Sequence, residues 1–484
     1  MSGGMLDWRP VLPALIVALT GLTALLMQAF TPKGKRAPAA GVALFGLAAA
    51  LVSVAVLASS EQRGRGSVMA GSVAADNFSL FFHALLLGVA LLVVLLSPAY
   101  LRENGMDRGE YYALLLFSVV GMLGLVSALD LISLFVALEI MSVALYALAG
   151  MQRERPESQE SAVKYFISGA FSSAFFLYGV ALLYGVSGST SLARIAGALT
   201  ARPGVGLPLL GAGFLLVGFG FKVASVPFHM WAPDVYEGAP TTVTAFMSAG
   251  VKAAAFGALL RVFGHALPGL RESWQPAVAV LAVLTMVVGN LGALAQTNLK
   301  RMLAYSSVAH AGYLLTALVA VPQVAGEAIL FYLVAYAAVN LGGFGALGAL
   351  SRAGREPLSL NDVAGLAERR PALAAALAVY LVSLAGVPVS AGFVGKFYLF
   401  NAAVQADHAA LAIVGVVMSV VSAYYYLRVI VYMYMREPAG ADDWAPVAPA
   451  ARLALAISAA IVLALGIYPG PVLALARSAA QALL

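Results

Sequence analysis

The chain has 484 residues, of which 62% are hydrophobic and 10% charged, with a net charge of +6 and a mean hydropathy of +0.92. An ordinary soluble domain carries about 25% charged residues. This composition excludes a water-soluble fold, and the absence of cysteine excludes disulfides, thiolate metal sites and iron–sulfur ligation on the chain.

Apolar runs of ~20 residues, the length of one hydrocarbon crossing, follow one another with short polar breaks. They predict an all-α polytopic membrane protein with about fourteen spans: 10–30, 38–58, 76–98, 110–129, 131–150, 161–186, 207–228, 240–263, 275–297, 302–321, 325–350, 372–400, 408–435 and 451–468. Val11–Phe30 lacks a basic leader and a small-residue cleavage site, so it is read as a retained span and not a signal peptide. Region 222–240, with Pro227, Pro233 and Pro240, has the least defined boundaries. The longest polar stretch, Ser351–Pro371, is a loop, and no soluble domain interrupts the series. Loops after odd-numbered spans hold fourteen basic residues, among them Lys33, Lys35, Arg36, Arg155, Lys300 and Arg301. The opposite loops hold seven: Arg9, Arg63, Arg65, Arg194, Arg202, Arg271 and Arg477. Basic loops stay in the cytoplasm, which predicts both termini on the outer side.

Span seven reads GFGFKVASVPF and span twelve SLAGVPVSAGFVGKF, each combining glycines, one proline and one lysine. They lie five spans apart, so spans 4–8 and 9–13 are expected to be two five-helix repeats of inverted topology. The segments are then 1–109 (three spans), 110–263 (first repeat), 264–436 (second repeat) and 437–484 (last span). Pro227 deprives the carbonyl of Val223 of its helical donor, and Pro388 does the same to Leu384. Broken backbone at membrane depth persists only beside a hydrated or protein-lined cavity.

Glu139, Lys222, Lys252 and Lys396 lie inside these spans. Each unpaired lysine at a helix centre costs about 2.5–3.5 kcal/mol on insertion scales. All four are therefore expected to face the bundle interior. Snorkelling to the headgroups is the competing reading for Lys164, and for Lys396 if its span ends early. A desolvated lysine releases its proton more readily, and an approaching carboxylate holds it in place. Glu139 moving toward and away from a lysine would thus shift a proton without any cofactor. His310 is either a hydrogen-bonded packing residue or a relay, with Ser306, Ser307 and Tyr313 beside it. Phosphate-binding loops, dinucleotide fingerprints, HExxH and haem attachment motifs are absent from the sequence.

The stretch VASVPFHMWAPDVYEGAPTTVTAFMSAGVKAAAFGALLR, Val223–Arg261, resembles the proton-translocating, antiporter-like subunits of respiratory complex I. TNLKRMLAYSSVAHAGYLL, Thr297–Leu315, looks like the matching signature of the second repeat. PDVYEGAPT at Pro233–Thr241, ESAVKYFISGAFSSAFFLYG at Glu160–Gly179 and VSAGFVGKF at Val389–Phe397 are similar to the subunit N branch of bacterial NADH:quinone oxidoreductase. Subunit M carries a glutamate where Lys396 stands, and subunit L continues into a lateral helix.

This resemblance implies a glutamate–lysine pair in Glu139 and Lys222, a central relay lysine in Lys252 and a terminal lysine in Lys396, with His310 and Lys164 as further polar positions. It implies a bacterial inner-membrane location. NADH, FMN, iron–sulfur clusters and quinone would lie on partner subunits, with no cofactor or metal on this chain. The expected partners are subunits M, K and J, the lateral helix of subunit L, and the bilayer; nucleic acid is not expected. Rival readings are a multi-subunit monovalent cation/proton antiporter subunit, a structural scaffold and a standalone solute carrier.

Overall fold

In hydrocarbon no water satisfies a free N–H or C=O, so an apolar chain crosses as helix. The computed structural model describes residues 8–32, 38–60, 66–201, 206–320, 325–352, 354–438 and 446–483. The predicted loop residues Lys33, Lys35, Arg36, Arg63, Arg65 and Arg202 lie outside them.

Three helices open the fold: α1 (Leu12–Phe30), α2 (Ala39–Ser59) and α3 (Asn77–Glu103). A first group follows: α4 (Gly109–Ser127), α5 (Leu131–Ala149), α6 (Pro156–Ser187), the short α7 (Leu192–Ala201), α8 (Gly206–Val223), α9 (Trp231–Gly238), α10 (Thr241–Phe246) and α11 (Lys252–Arg261). A second comprises α12 (Arg271–Leu294), α13 (Leu299–Leu318), α14 (Ala325–Gly348), α15 (Leu366–Arg369), α16 (Pro371–Ala385), α17 (Ala391–Gln405) and α18 (Ala409–Met435). The chain closes with α19 (Pro449–Ile467) and α20 (Gly470–Gln481). Among the described residues, twelve helices are long and apolar enough to cross a membrane.

Local chemistry sets the ends. Asp76 accepts from Ser79 N at 2.8 Å, Asp130 from Ile132 N at 2.9 Å and Asn298 from Arg301 N at 3.1 Å, each supplying an acceptor to an unpaired first-turn donor. Gly386, at φ +85°, closes α16 in the left-handed region that glycine enters without strain.

The expected span twelve (372–400) is two helices, α16 and α17, whereas the expected span seven (207–228) holds α8 alone and α9 lies beyond its end. Four features were not anticipated. Helices α7 and α20 are short. Strands Gly66–Val68 and Val73–Ala75 form a two-stranded antiparallel ribbon. Two π turns, Met247–Val251 and Val262–Ala266, flank α11.

The stretch from Thr241 to Phe263 is buried throughout and forms the axle of the bundle, with α13 and α14 beside it. The outer helices expose large apolar side chains, such as Phe45, Phe171 and Val420, as a lipid-facing surface requires.

Two hairpins, α4–α5 and α12–α13, pack at backbone contact. A methyl group on Gly121 would lie 2.3 Å from Met141 N, and one on Gly289 would lie 2.5 Å from Ala309 N. Backbone cannot retreat as a side chain can, and overpacking costs about 1–3 kcal/mol. Gly289→Val is therefore expected to lower thermal stability in detergent and the amount of folded chain in the membrane. Gly88→Ala, which meets nothing within 4 Å, serves as the control and should change neither.

Candidate functional site

The three lysines predicted inside the spans are buried, at 2% exposure for Lys222, 1% for Lys252 and 4% for Lys396. Each meets a serine from another helix. Lys222, on the last turn of α8, donates to Ser142 Oγ of α5 at 2.7 Å. Lys252 donates to Ser307 of α13, at 2.5 Å to O and 2.6 Å to Oγ. Lys396 of α17 donates to Ser419 Oγ of α18 at 2.7 Å. An ammonium has three donors and no acceptor. Lys396 fills all three, because it also reaches Leu384 O at 2.8 Å and Ala385 O at 3.2 Å. These carbonyls end α16, so the acceptor freed by Pro388 is taken by the lysine.

The first break is settled differently. Trp231 Nε1 donates to Phe221 O at 2.9 Å, Ser225 N to Gly220 O at 2.8 Å, and Val226 N finds Thr285 Oγ1 of α12 at 2.9 Å. Among the described residues, Lys222 donates to no carbonyl of this break and lies among aromatic rings, with Nζ at 5.5 Å from the centroid of Tyr146, 5.6 Å from Tyr165 and 5.4 Å from Phe221. Ring faces attract a cation at such distances. Glu139 does not touch Lys222. Its Oε1 accepts from Ser173 of α6. Ser142, the partner of Lys222, lies one turn beyond Glu139 on α5 and donates onward to Leu138 O at 2.5 Å.

His310 lies between the second and third lysines along α13. Three residues before it stands Ser307, the acceptor of Lys252. Three after stands Tyr313, whose ring lies 5.0 Å from Lys396 Nζ. Both imidazole nitrogens engage hydroxyls, Nδ1 that of Tyr332 and Nε2 that of Tyr426 at 3.2 Å, and Tyr426 also bonds Ser306. Lys164 stands apart. It is 44% exposed and pairs with Asp234 and Glu160, both at 2.6 Å. Asp234 in turn holds Arg301 at 2.7 Å, joining α9 to α13.

Known proteins resemble this chain in sequence and fold. The family described as NADH:quinone oxidoreductase/Mrp antiporter, TM, matches residues 128–422. The NADH-quinone oxidoreductase subunit N of Trichlorobacter lovleyi is 45% identical over 473 residues, covering 97% of this chain and 96% of its own. That of Mycobacterium bovis is 42% identical, covering 97% of each. The chain belongs to the NADH-quinone oxidoreductase subunit N family. A subunit of Thermus thermophilus respiratory complex I, solved with bound aureothin, superposes with a TM-score of 0.81 at 39% identity over 96% of this chain and 98% of its own. A subunit of the Mrp complex from Dietzia shares the fold, with a TM-score of 0.85 at 24% identity over 99% and 98%.

Several polar residues of this family member were not singled out from sequence. Ser142, Ser173, Ser419, Tyr332, Tyr336 and Tyr426 each hang on a span that reads as apolar. Signals existed: Tyr332 and Tyr336 are four apart on α14, and Ser419, Ser422 and Tyr426 step along one face of α18. Tyr336 OH donates to Ser307 Oγ at 2.7 Å, which ties it to Lys252.

Glu356, in the loop after α14, was missed as well. Its side chain is 1% exposed. Oε1 accepts from Tyr100 OH and, at 2.7 Å, from Thr241 Oγ1; Oε2 accepts from Lys300 at 3.1 Å and Arg155 at 3.2 Å. Burial alone would raise its pKa, but Lys300, the two hydroxyls and Arg155 outweigh burial and hold it down at about 2. A carboxylate lowered on folding adds stability that is complete above its unfolded value of about 4.3 and is lost as the pH falls through its folded value. Hydrogen exchange in loop 354–371, corrected for its intrinsic pH dependence, should show constant protection from pH 5 to 9. Protection should fall only as the pH approaches 2.

Proposed function

We propose that this chain is a proton-translocating membrane-arm subunit of NADH:quinone oxidoreductase. The carrying observation is the buried series Lys222, Lys252, His310 and Lys396, with a hydroxyl at every member. Serine and tyrosine hydroxyls both accept and donate, so each ammonium has a neighbour that can pass a proton onward. Glu139, bound through one serine a turn from the partner of Lys222, is the mobile counter-charge. When it approaches Lys222 it holds that proton, and when it withdraws the proton moves toward Lys252. Ionised lysines along one buried series repel one another, so charge entering at one end favours release at the other. Family membership supports this reading, as do relatives named NADH-quinone oxidoreductase subunit N at 42–45% identity. NADH, flavin, iron–sulfur clusters and quinone belong on partner subunits in this scheme, and no redox centre on this chain. Subunits M, K and J and the lateral helix of subunit L are the expected neighbours.

The same reading completes the topology. Alongside the twelve helices of clear spanning character, α13 and the broken pair α16/α17 serve as two further crossings, giving fourteen. The series α4, α5, α6, α8/α9 and α10/α11 then corresponds to α12, α13, α14, α16/α17 and α18, two inverted repeats of five. Supporting this, each series opens with a glycine-contact hairpin, and the third helix of each packs on both halves of its broken partner. The three-span lead of 1–109, the repeats of 110–263 and 264–436, and the final segment 437–484 follow. The excess of basic residues in odd loops supports a cytoplasmic face there and both termini outside, in a bacterial inner membrane.

The alternative, a monovalent cation/proton antiporter subunit, finds support in the shared family model and in the fold of the Mrp subunit, but not in the relatives of 42–45% identity. Lys252→Ala and Lys396→Ala, each assembled into the complex and reconstituted in vesicles, are expected to lower NADH-driven proton pumping and quinone reduction together, by about tenfold or more. Undiminished pumping and turnover in both would overturn the proposal. Sodium-dependent growth rescue without NADH oxidation would favour the alternative.

A further inference from the structure

Two helices of the lysine series meet twice. At one end of the bundle, Thr241 at the start of α10 and Lys300 at the start of α13 both bond Glu356. Two turns deeper along α13, Lys252 bonds Ser307. Thr241 and Thr244 lie a three-residue step apart on α10, Ser248 and Lys252 follow in and just after the π turn Met247–Val251, and all four are buried. Lys300 and Ser307, seven apart, share a side of α13. Buried hydroxyls thus stand at intervals between Glu356 and Lys252, a polar seam whose Thr244 and Ser248 bond nearby backbone carbonyls.

A cavity of about 710 Å³ lies beyond the Glu356 end, between the α3–α4 and α5–α6 connections, with Arg155, Arg153, Arg108, Glu154 and Glu110 in its wall. Arg155 belongs both to this wall and to the Glu356 cluster. Without the cluster, a polar cavity would face a polar seam leading to Lys252.

The cluster is poorly suited to carrying protons. Both oxygens of Glu356 are engaged, by four partners in all. The carboxylate stays ionised far below neutrality. Burial would lower the pKa of Arg155, but Glu356 raises it above its already high value. Lys300 is held by Ala239 O at 2.8 Å as well as by Glu356. While Lys300 keeps its proton, one anion and two cations leave an excess positive charge, which repels an incoming proton strongly where the dielectric is low.

We propose that the Glu356–Lys300–Arg155 cluster is an ion-pair seal that closes this end of the Lys252 span to passive proton flow. The inference rests on the proton-transfer reading above, but its readout does not. Vesicles containing the assembled complex, without NADH, are given a pH gradient, and its collapse is followed with an internal pH dye. Lys300→Ala is expected to collapse the gradient severalfold faster than the parent. Lys300→Arg, which restores a cation, should behave as the parent. Combining Lys300→Ala with Lys252→Ala should return the leak to the parental rate, because the seam then lacks its inner group. A parental leak in assembled Lys300→Ala would overturn the seal, as would an extra leak that survives removal of Lys252. If Lys300→Ala does not assemble, Arg155→Gln, whose side chain reaches the cavity wall, is measured identically, and a parental leak there overturns the seal too. Normal pumping in Lys252→Ala alone would count against the proton path, while the leak of Lys300→Ala would still judge the seal.

Discussion

A buried ammonium must find acceptors, and inside a bilayer most backbone carbonyls already hold a helical donor. This constraint organises the structure. A carbonyl loses its helical donor only where a helix stops or breaks, and a helix can stop at that depth only if something takes its carbonyls. At the α16/α17 break the two needs cancel. Lys396 supplies donors to Leu384 and Ala385, and those carbonyls supply the lysine with acceptors. Gly386 turns the chain beside Lys396, where an added methyl group would sit 3.1 Å from its Cδ. The position of the lysine and the position of the break are thus one feature.

The α8/α9 break shows what happens when the needs are separated. Tryptophan, serine and threonine groups satisfy its backbone, which frees Lys222 to point elsewhere. It then has one serine and three ring faces. Lys222 holds the fewest hydrogen-bond acceptors of the three lysines in the series, and its one acceptor, Ser142, stands a turn from Glu139 on α5. The member of the series with the least rigid coordination is therefore the one beside Glu139.

The parts of this arrangement that lie along one line of sequence were legible from it. An apolar run announces a span, a lone charge within it announces a buried group, and Pro227 and Pro388 announce interrupted backbone. The outcome at Leu384 was legible only in half. The freed carbonyl could be read from Pro388, but its partner, eight residues beyond the proline and facing back, could not. Partners from other helices were not legible, since Ser142, Ser307 and Ser419 gain their meaning only when α5, α13 and α18 come alongside the lysines. The π turns around α11 leave no periodicity signal in a segment buried on all sides. Glu356 was hidden for another reason. In a polar loop a glutamate looks solvated, and its burial depends on Tyr100, Arg155, Thr241 and Lys300 converging from four separate helices or their ends.

The number of partners separates two kinds of buried charge in this protein. Glu139 accepts from a single serine at a half-buried position, so its departure breaks one hydrogen bond. Glu356 accepts from four groups, two of them cations, so its departure would strand a buried lysine and an arginine together. Leaving a buried charge unpaired costs several kcal/mol, so displacing Glu356 is far more costly than displacing Glu139. The lysines follow the same order. Lys396, with three acceptors, is held, while Lys222, with one, is free to respond. On the proton-transfer reading, fixed charges close one end of the series and the loosely held pair, Glu139 and Lys222, carries the change. On that reading the same burial that makes charge expensive serves both tasks, and the count of hydrogen-bond partners separates them.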